Sequence, residues 1–287
     1  MLSSYKILVS SPYNSKNKIQ SIKRFILWKF IKALKLSNFK YSLWDDRLIY
    51  LNHDSFQSMW IMYNYWVDWE EFNLIKNIVK PQDQVFDIGA NMGYYSIWFS
   101  KFISLSGKIH SFEPDISNFK RLKKNVLLNK NNEIFNLNNK AVSDLNGELT
   151  FTTGLDGENH ISNDQSISRT HVESITLDEY CEKNQIKKLN YVKIDVEGFE
   201  YSVLKGAESL LSEQKISIIQ LEINQTIINS NKSIADIINL LNKYEYKLCR
   251  YDVSQNCLIE IPYNKSRENY FAVADINSLN KELAHLT

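Results

Sequence analysis

VFDIGANMGYYSIWFS, residues 85–100, decides the fold. Val85, Phe86 and Ile88 enclose an Asp in a short apolar run, the form of a strand buried on both faces. Gly89, Asn91 and Gly93 follow at alternate positions, and apolar residues then recur at helical spacing from Tyr94. A strand that turns into a helix over two glycines and an asparagine needs backbone that tolerates left-handed geometry. In an open parallel sheet the space beyond the strand's carboxyl end is where ligands bind.

Strand and helix alternate outward from this corner. EEFNLIKNIVK reads as a helix closed by Pro81-Gln82-Asp83, and KIHSFEP as the second strand. ISNFKRLKKNVLLN is a helix, EIFNLNNKAVS a weak third strand, and GELTFTT an added strand after the Asn146-Gly147 turn. Residues 154–171 are polar and Gly-Ser-Asn-rich, the length and composition of a functional loop. ITLDEYCEKN is helical with a Thr176–Glu179 capping pair; NYVKIDVE and ISIIQLEIN are the fourth and fifth strands, with YSVLKGAESLLSE helical between them. SIADIINLLNKY is a helix, and YKLCRYDV, CLIEI and NYFAVADI close the chain without helices between them. The pattern predicts an α/β, Rossmann-like, doubly wound and mostly parallel sheet with an antiparallel C-terminal edge. This domain spans 71–287, after an N-terminal aromatic and basic extension over 1–70.

The chain has 287 residues and a net charge of +1, so it is no nucleic-acid magnet. Cys181, Cys249 and Cys257 are widely spaced, without the pairing of a disulfide framework or zinc knuckle, and suit a reducing cytoplasm. No apolar run reaches a membrane span, and the N-terminus lacks a secretory h-region. The first 44 residues hold nine Lys and Arg and no acid. Within them, SIKRFILWKFIKALKL is an amphipathic helix. Its broad apolar face favours packing on the main domain, while Lys23, Arg24, Lys29, Lys32 and Lys35 beside Trp28 and Phe30 suit peripheral contact with an anionic membrane or partner through residues 20–36.

The corner is not a phosphate site. A dinucleotide loop wants G-x-G-x-x-G and a Walker loop wants Gly-Lys-Ser/Thr; G-A-N-M-G-Y-Y is neither. Asp87 adds negative charge, which suits a cation, and S-adenosylmethionine carries a sulfonium and an ammonium. Gly89 and Gly93 would let backbone approach it, so a side chain at Gly89 is expected to block the cofactor and leave the fold. Glu113, 26 residues beyond Asp87, ends the second strand and can accept both ribose hydroxyls. Asp144 ends the third and can accept from the adenine amine. Asp195 and Glu197 end the fourth strand, and Glu222 the fifth, around the same crevice.

VFDIGANMGYYS, FEPD, AVSD, VKIDVEGFEYSVLKGA and IIQLEIN together resemble the FkbM family of class I S-adenosylmethionine-dependent methyltransferases, over residues 72–275. The V-K-I-D-V-E-G-x-E-x-x-V-L-K-G-A string is the most specific part. The resemblance implies methyl transfer to a hydroxyl, of a sugar, glycan or related metabolite. No N-P-P-Y/F string for amino methylation occurs. A nucleotide-dependent oxidoreductase and a non-catalytic cofactor-binding protein are the alternatives.

An alcohol nucleophile needs a base or a metal. In one reading a hard ion such as Mg²⁺ sits on Asp195 and Glu222, with Glu197 as a further donor. In another these carboxylates bind the methionine ammonium or cap the next helix. His160, beside Asp156, Glu158 and Asn159 in the polar loop, is the candidate base. His110 reads as core, Glu200 as structural, and Tyr94 and Tyr95 as helix-face packing.

Overall fold

The computed structural model describes residues 12–44, 46–66, 68–152, 169–223 and 232–285. The extension comprises α1 (Pro12–Lys16), α2 (Lys18–Ala33), a hairpin of β1 (Phe39–Ser42) and β2 (Leu48–Leu51), and α3 (Phe56–Asn64). The main domain follows with α4 (Trp69–Ile78), β3 (Gln84–Ile88), α5 (Tyr94–Phe99), β4 (Lys108–Phe112), α6 (Ile116–Leu127) and β5 (Phe135–Asn138). Next come β6 (Ala141–Val142), β7 (Gly147–Thr152), β8 (Arg169–Ile175), α7 (Leu177–Lys183), β9 (Tyr191–Ile194), α8 (Glu200–Lys205) and α9 (Glu208–Ser212). The chain ends with β10 (Ile219–Glu222), α10 (Ile234–Lys243), β11 (Lys247–Asp252), β12 (Cys257–Glu260), β13 (Asn269–Val273) and α11 (Ile276–Ala284).

Eight strands form the main sheet in the order β12-β11-β13-β10-β9-β3-β4-β5. From β10 to β5 all neighbours are parallel, and β11, β12 and β13 add the antiparallel edge that three closing strands without helices imply. Chain order runs outward from β3 through β4 to β5, then restarts at β9 on the other side of β3. The switch point therefore lies between β3 and β9, whose ends align at Ile88 and Ile194.

Alternation along the strands sends side chains into two separate cores. Phe86, Ile88, Phe112, Val192, Ile194 and Leu221 face α7, α8, α9 and α10. Val85, Ile109 and Tyr191 face the other way, into a core that also holds Trp28, Ile31, Leu43, Trp44, Ile61, Phe72 and Trp98. The extension is thus packed into this second core. Trp44 lies edge-on to Trp98 at 4.6 Å, and Phe72 stacks on Trp98 at 4.7 Å. Arg24 belongs to this packing rather than to a basic outer face: it is buried and donates to Asn14 Oδ1 and Met62 O.

Two strand readings need correction. The third strand is two strands: β5 stays in the main sheet, whereas β6 pairs with β8 in a separate sheet ordered β6-β8-β7. Residues 169–171, read as loop, open β8, which pairs antiparallel with β7.

Candidate active site

The carboxyl ends of β3, β4 and β9 are locked together by backbone. Gly89 N and Ala90 N both donate to Phe112 O, at 3.0 and 2.9 Å, and Asp195 N donates to Ile88 O at 3.1 Å. The turn alternates left-handed residues, with φ of 78° at Gly89, 49° at Asn91 and 90° at Gly93. The glycines first make room for protein. A Cβ on Gly89 would lie 1.8 Å from Asp195 O, and one on Gly93 would lie 2.6 Å from Leu122 Cδ1. The expectation that the fold survives a side chain at Gly89 is overturned by that contact.

Glu113 is fixed beside this turn. Its Oε2 accepts from Asn91 N at 2.8 Å and its Oε1 from Asp115 N at 2.9 Å. Burial raises its pKa to about 8, against the two backbone donors that lower it. Asp87, Gly89, Asn91, Gly93, Glu113 and Asp195, nominated for the cofactor from sequence, therefore share one corner. Asp144 does not end a main-sheet strand, because β5 stops at Asn138; it is exposed just after β6 and accepts from Ser143 Oγ at 2.9 Å.

A second corner follows β9. Glu197 and Gly198 both take positive φ, 52° and 102°, and Glu200 Oε1 accepts from Val196 N and Gly198 N at 3.3 and 3.2 Å. Glu200 thus holds the turn from within, and burial raises its pKa to about 7. Glu197 and Glu222 are half-buried. His160 and the loop residues Asp156, Glu158 and Asn159 lie outside the described residues.

Sequence reading missed a polar row beneath the corner. Ser111, Asp87, Lys193 and Gln220 lie in register across β4, β3, β9 and β10, and all four are buried. Lys193 Nζ is 2.9 Å from Asp195 Oδ2 and 3.7 Å from Asp87 Oδ1, an atom with no hydrogen-bond partner. It also donates to Gly89 O at 3.3 Å. Burial works against the ammonium, but Asp195 and Asp87 outweigh it, so its pKa is raised and the charge persists. Asp87 has its pKa raised by burial, with Lys193 and Ser96 opposing. The row also grips the start of α5. Ser96 Oγ donates to Asp87 Oδ2 at 2.6 Å, Gln220 Nε2 donates to Tyr95 Oη at 2.9 Å, and that hydroxyl donates to Asp68 Oδ2 at 2.6 Å. The available signal was a Lys between Val192 and Ile194 in a buried strand, a position that requires an acidic partner.

This row puts an ammonium beside Asp195, one of the two carboxylates of the metal reading. Asp195 is held by an ammonium at 2.9 Å, and Lys193 also feels Glu222. Among the described residues no group of three or more His, Cys, Asp or Glu stands where it could hold a metal. Asp195 and Glu222 are two carboxylates, and Asp195 is already paired with Lys193. His110 is core, between Tyr180 Oη and Gln84 Oε1 at 2.9 Å each, and burial lowers its pKa to about 4.

A family model described as a methyltransferase FkbM domain matches residues 87–248. The chain is 25% identical over 170 residues to hexuronic acid methyltransferase AglP of Haloferax volcanii, covering 58% of this chain and 67% of that one. It is 24% identical over 192 residues to 2-O-methyltransferase NoeI of Sinorhizobium fredii, covering 60% and 76%. Among solved structures, methyltransferase FkbM from Methylobacillus flagellatus aligns with 15% identity and a TM-score of 0.42, over 68% of this chain and 44% of that one.

Proposed function

Because the chain belongs to the FkbM methyltransferase family, and is thereby an S-adenosylmethionine-dependent methyltransferase, we propose that it methylates a hydroxyl of a sugar or sugar-bearing acceptor. The observation that carries the reading is the meeting of Glu113, the left-handed turn at 89–93 and Asp195 beyond one switch point. The names of the two curated relatives, one for a hexuronic acid and one for a 2-O position, support a carbohydrate hydroxyl as acceptor. S-adenosylmethionine supplies an electrophilic methyl on a sulfonium, with a ribose diol and an adenine beside it.

The residues present fit that group. Each Glu113 oxygen accepts one backbone N–H and keeps lone pairs for a ribose hydroxyl. Asp195 presents a carboxylate to the cationic end, oriented by Lys193. Asp144 is assigned to the adenine amine. Glu197 lines the second turn, and His160 is assigned as the base that takes the acceptor's proton. The alignment of the acceptor oxygen falls to this corner, since a displacement at carbon needs its partners in line. A mass-labelled methyl donor offered with uronic-acid glycans, neutral glycans and simple alcohols tests the acceptor class. Label is expected on a carbohydrate hydroxyl, and label confined to the simple alcohols overturns the proposal.

Glu113→Gln is expected to weaken S-adenosylhomocysteine by about 1–3 kcal/mol, the usual cost of losing a charge-assisted acceptor. Its pH dependence has a definite sign. With the free carboxyl near pKa 8, the protein at pH 7 is mostly protonated there, and a diol prefers the carboxylate. Affinity should rise from pH 6.5 to 8.5 with a proton released on binding, and the Gln variant should be flat. Calorimetry in two buffers of different ionisation enthalpy reads the proton directly; no release by wild type places the ribose elsewhere.

His160→Ala should lower turnover by about a hundredfold, at the low end for a positioned base, and leave cofactor affinity unchanged. Wild-type turnover should also decline at acid pH, because an imidazolium cannot accept the hydroxyl proton. A pH profile shared by wild type and the Ala variant would remove His160 from the mechanism.

A further inference from the structure

Helix α2 has two apolar faces, and only one is used by the fold. Ser21, Arg24, Trp28 and Ile31 are buried against the core. On the opposite side Ile19, Ile22, Ile26 and Phe30 follow at spacings of three and four residues, one continuous helical stripe. They are 72%, 58%, 61% and 56% exposed, and Leu34, just past the helix, is 54% exposed. No other described segment exposes so many large apolar side chains in one line. Folding leaves this stripe in water at a cost, since each such side chain is worth roughly 1.5–3 kcal/mol when fully buried.

Charge identifies what covers it. Lys18, Lys23, Lys29, Lys32 and Lys35 are all exposed along the same helix and its end. Residues 1–44 contain no Asp or Glu, although the whole chain has 33 acidic residues against 34 basic ones. Basic charge is therefore concentrated at this stripe, while the remaining chain is net acidic. A protein partner would call for a mixed surface or a matching acidic groove. A row of Ile and Phe bordered by lysines, lying along an exposed helix, matches the acyl boundary and anionic headgroups of a bilayer. Lysine stems lie along apolar surface while the ammonium reaches the headgroups. Among the described residues no helix is long and apolar enough to cross a membrane, so the contact is with the surface.

We propose that α2 docks the enzyme on an anionic membrane surface, with Ile19, Ile22, Ile26 and Phe30 entering the interface and the lysines facing the headgroups. The helix is anchored to the methyltransferase core through Trp28 and Ile31, so docking places the whole domain beside the bilayer rather than tethering it on a linker.

Co-sedimentation of the full chain with vesicles tests this. Vesicles of phosphatidylcholine alone are compared with vesicles also carrying phosphatidylglycerol, at low and high salt. Binding to the anionic vesicles, weakened by salt, is expected. Ile22→Asp with Phe30→Asp, and separately Lys18→Glu with Lys29→Glu, should each weaken partition by roughly tenfold or more. These positions are exposed, so melting temperature should match wild type, and cofactor binding should persist. Absence of binding to anionic vesicles overturns the proposal, as does equal binding to both vesicle types. Light scattering gives the competing outcome: a dimer that Phe30→Asp separates would make the stripe an interface between copies and also overturn it.

Discussion

Gly89→Ala is expected to destabilise the protein by about 3–5 kcal/mol and to abolish S-adenosylhomocysteine binding. Two costs combine. At φ 78° an L side chain is strained, on the order of 1–3 kcal/mol. The added methyl would also lie 1.8 Å from Asp195 O and 2.9 Å from Asp195 C, where overpacking costs about 1–3 kcal/mol even when neighbours can move. Here the obstacle is backbone. Asp195 N is held by Ile88 O, and Val196 N, in the peptide that carries the Asp195 carbonyl, is held by Glu200 Oε1, so that carbonyl cannot yield without disturbing the junction of β3 and β9. The cofactor corner would open with it, since Gly89 and Ala90 are tied to Phe112 and Asn91 is tied to Glu113. Urea unfolding with calorimetric titration separates the two effects. Wild-type stability with lost binding would mean that Gly89 serves ligand approach alone; full binding would move the cofactor away from this corner.

The sequence made the corner legible because its requirements are local. Alternating left-handed positions at 89, 91 and 93 need Gly and Asn, and a buried strand before them needs Val, Phe and Ile; both are written in consecutive residues. The antiparallel edge was legible for a related reason, since β11, β12 and β13 are separated by segments too short for a crossover helix. What escaped depends on lateral register. Lys193, Asp87, Ser111 and Gln220 are distant in sequence and become neighbours only when four strands align. A lysine within an apolar strand was visible, but its partners were not. The split of β5 from β6 escaped because Asn139-Lys140 gives no strong turn signal, so Asp144 was assigned to a main-sheet strand it does not end. Glu200 was read as structural, and the two backbone N–H groups it accepts give that reading a physical content.

The buried cation leads to the other large effect. Lys193→Met is expected to cost about 3–5 kcal/mol, the penalty for removing one partner of a buried charge pair. Asp87 is fully buried, and its Oδ1 has the ammonium at 3.7 Å as its only compensation among the described groups. Without Lys193 that carboxyl must take up a proton or stay ionised uncompensated. Since its pKa is already raised by burial, stability of the Met variant should fall further as pH rises: the unfolded chain ionises Asp87 from about pH 4 upward, while the folded chain retains the proton to higher pH. Asp87→Asn in the same chain should recover much of the loss at neutral pH, because the amide carries no charge to compensate. A double-mutant cycle at pH 7 therefore gives a positive coupling, and an additive pair would show that Lys193 acts on Asp195 alone. The cycle also bears on catalysis. If the ammonium is the fixed positive charge beside Asp195, chelators should leave methyl transfer by wild type unchanged, while Lys193→Met should lower turnover more than its effect on cofactor affinity, through loss of the set orientation of Asp195 and of the α5 turn held by Ser96. Restoration of chelated wild-type enzyme by Mg²⁺ would sink this assignment and return Asp195 and Glu222 to the role of metal ligands.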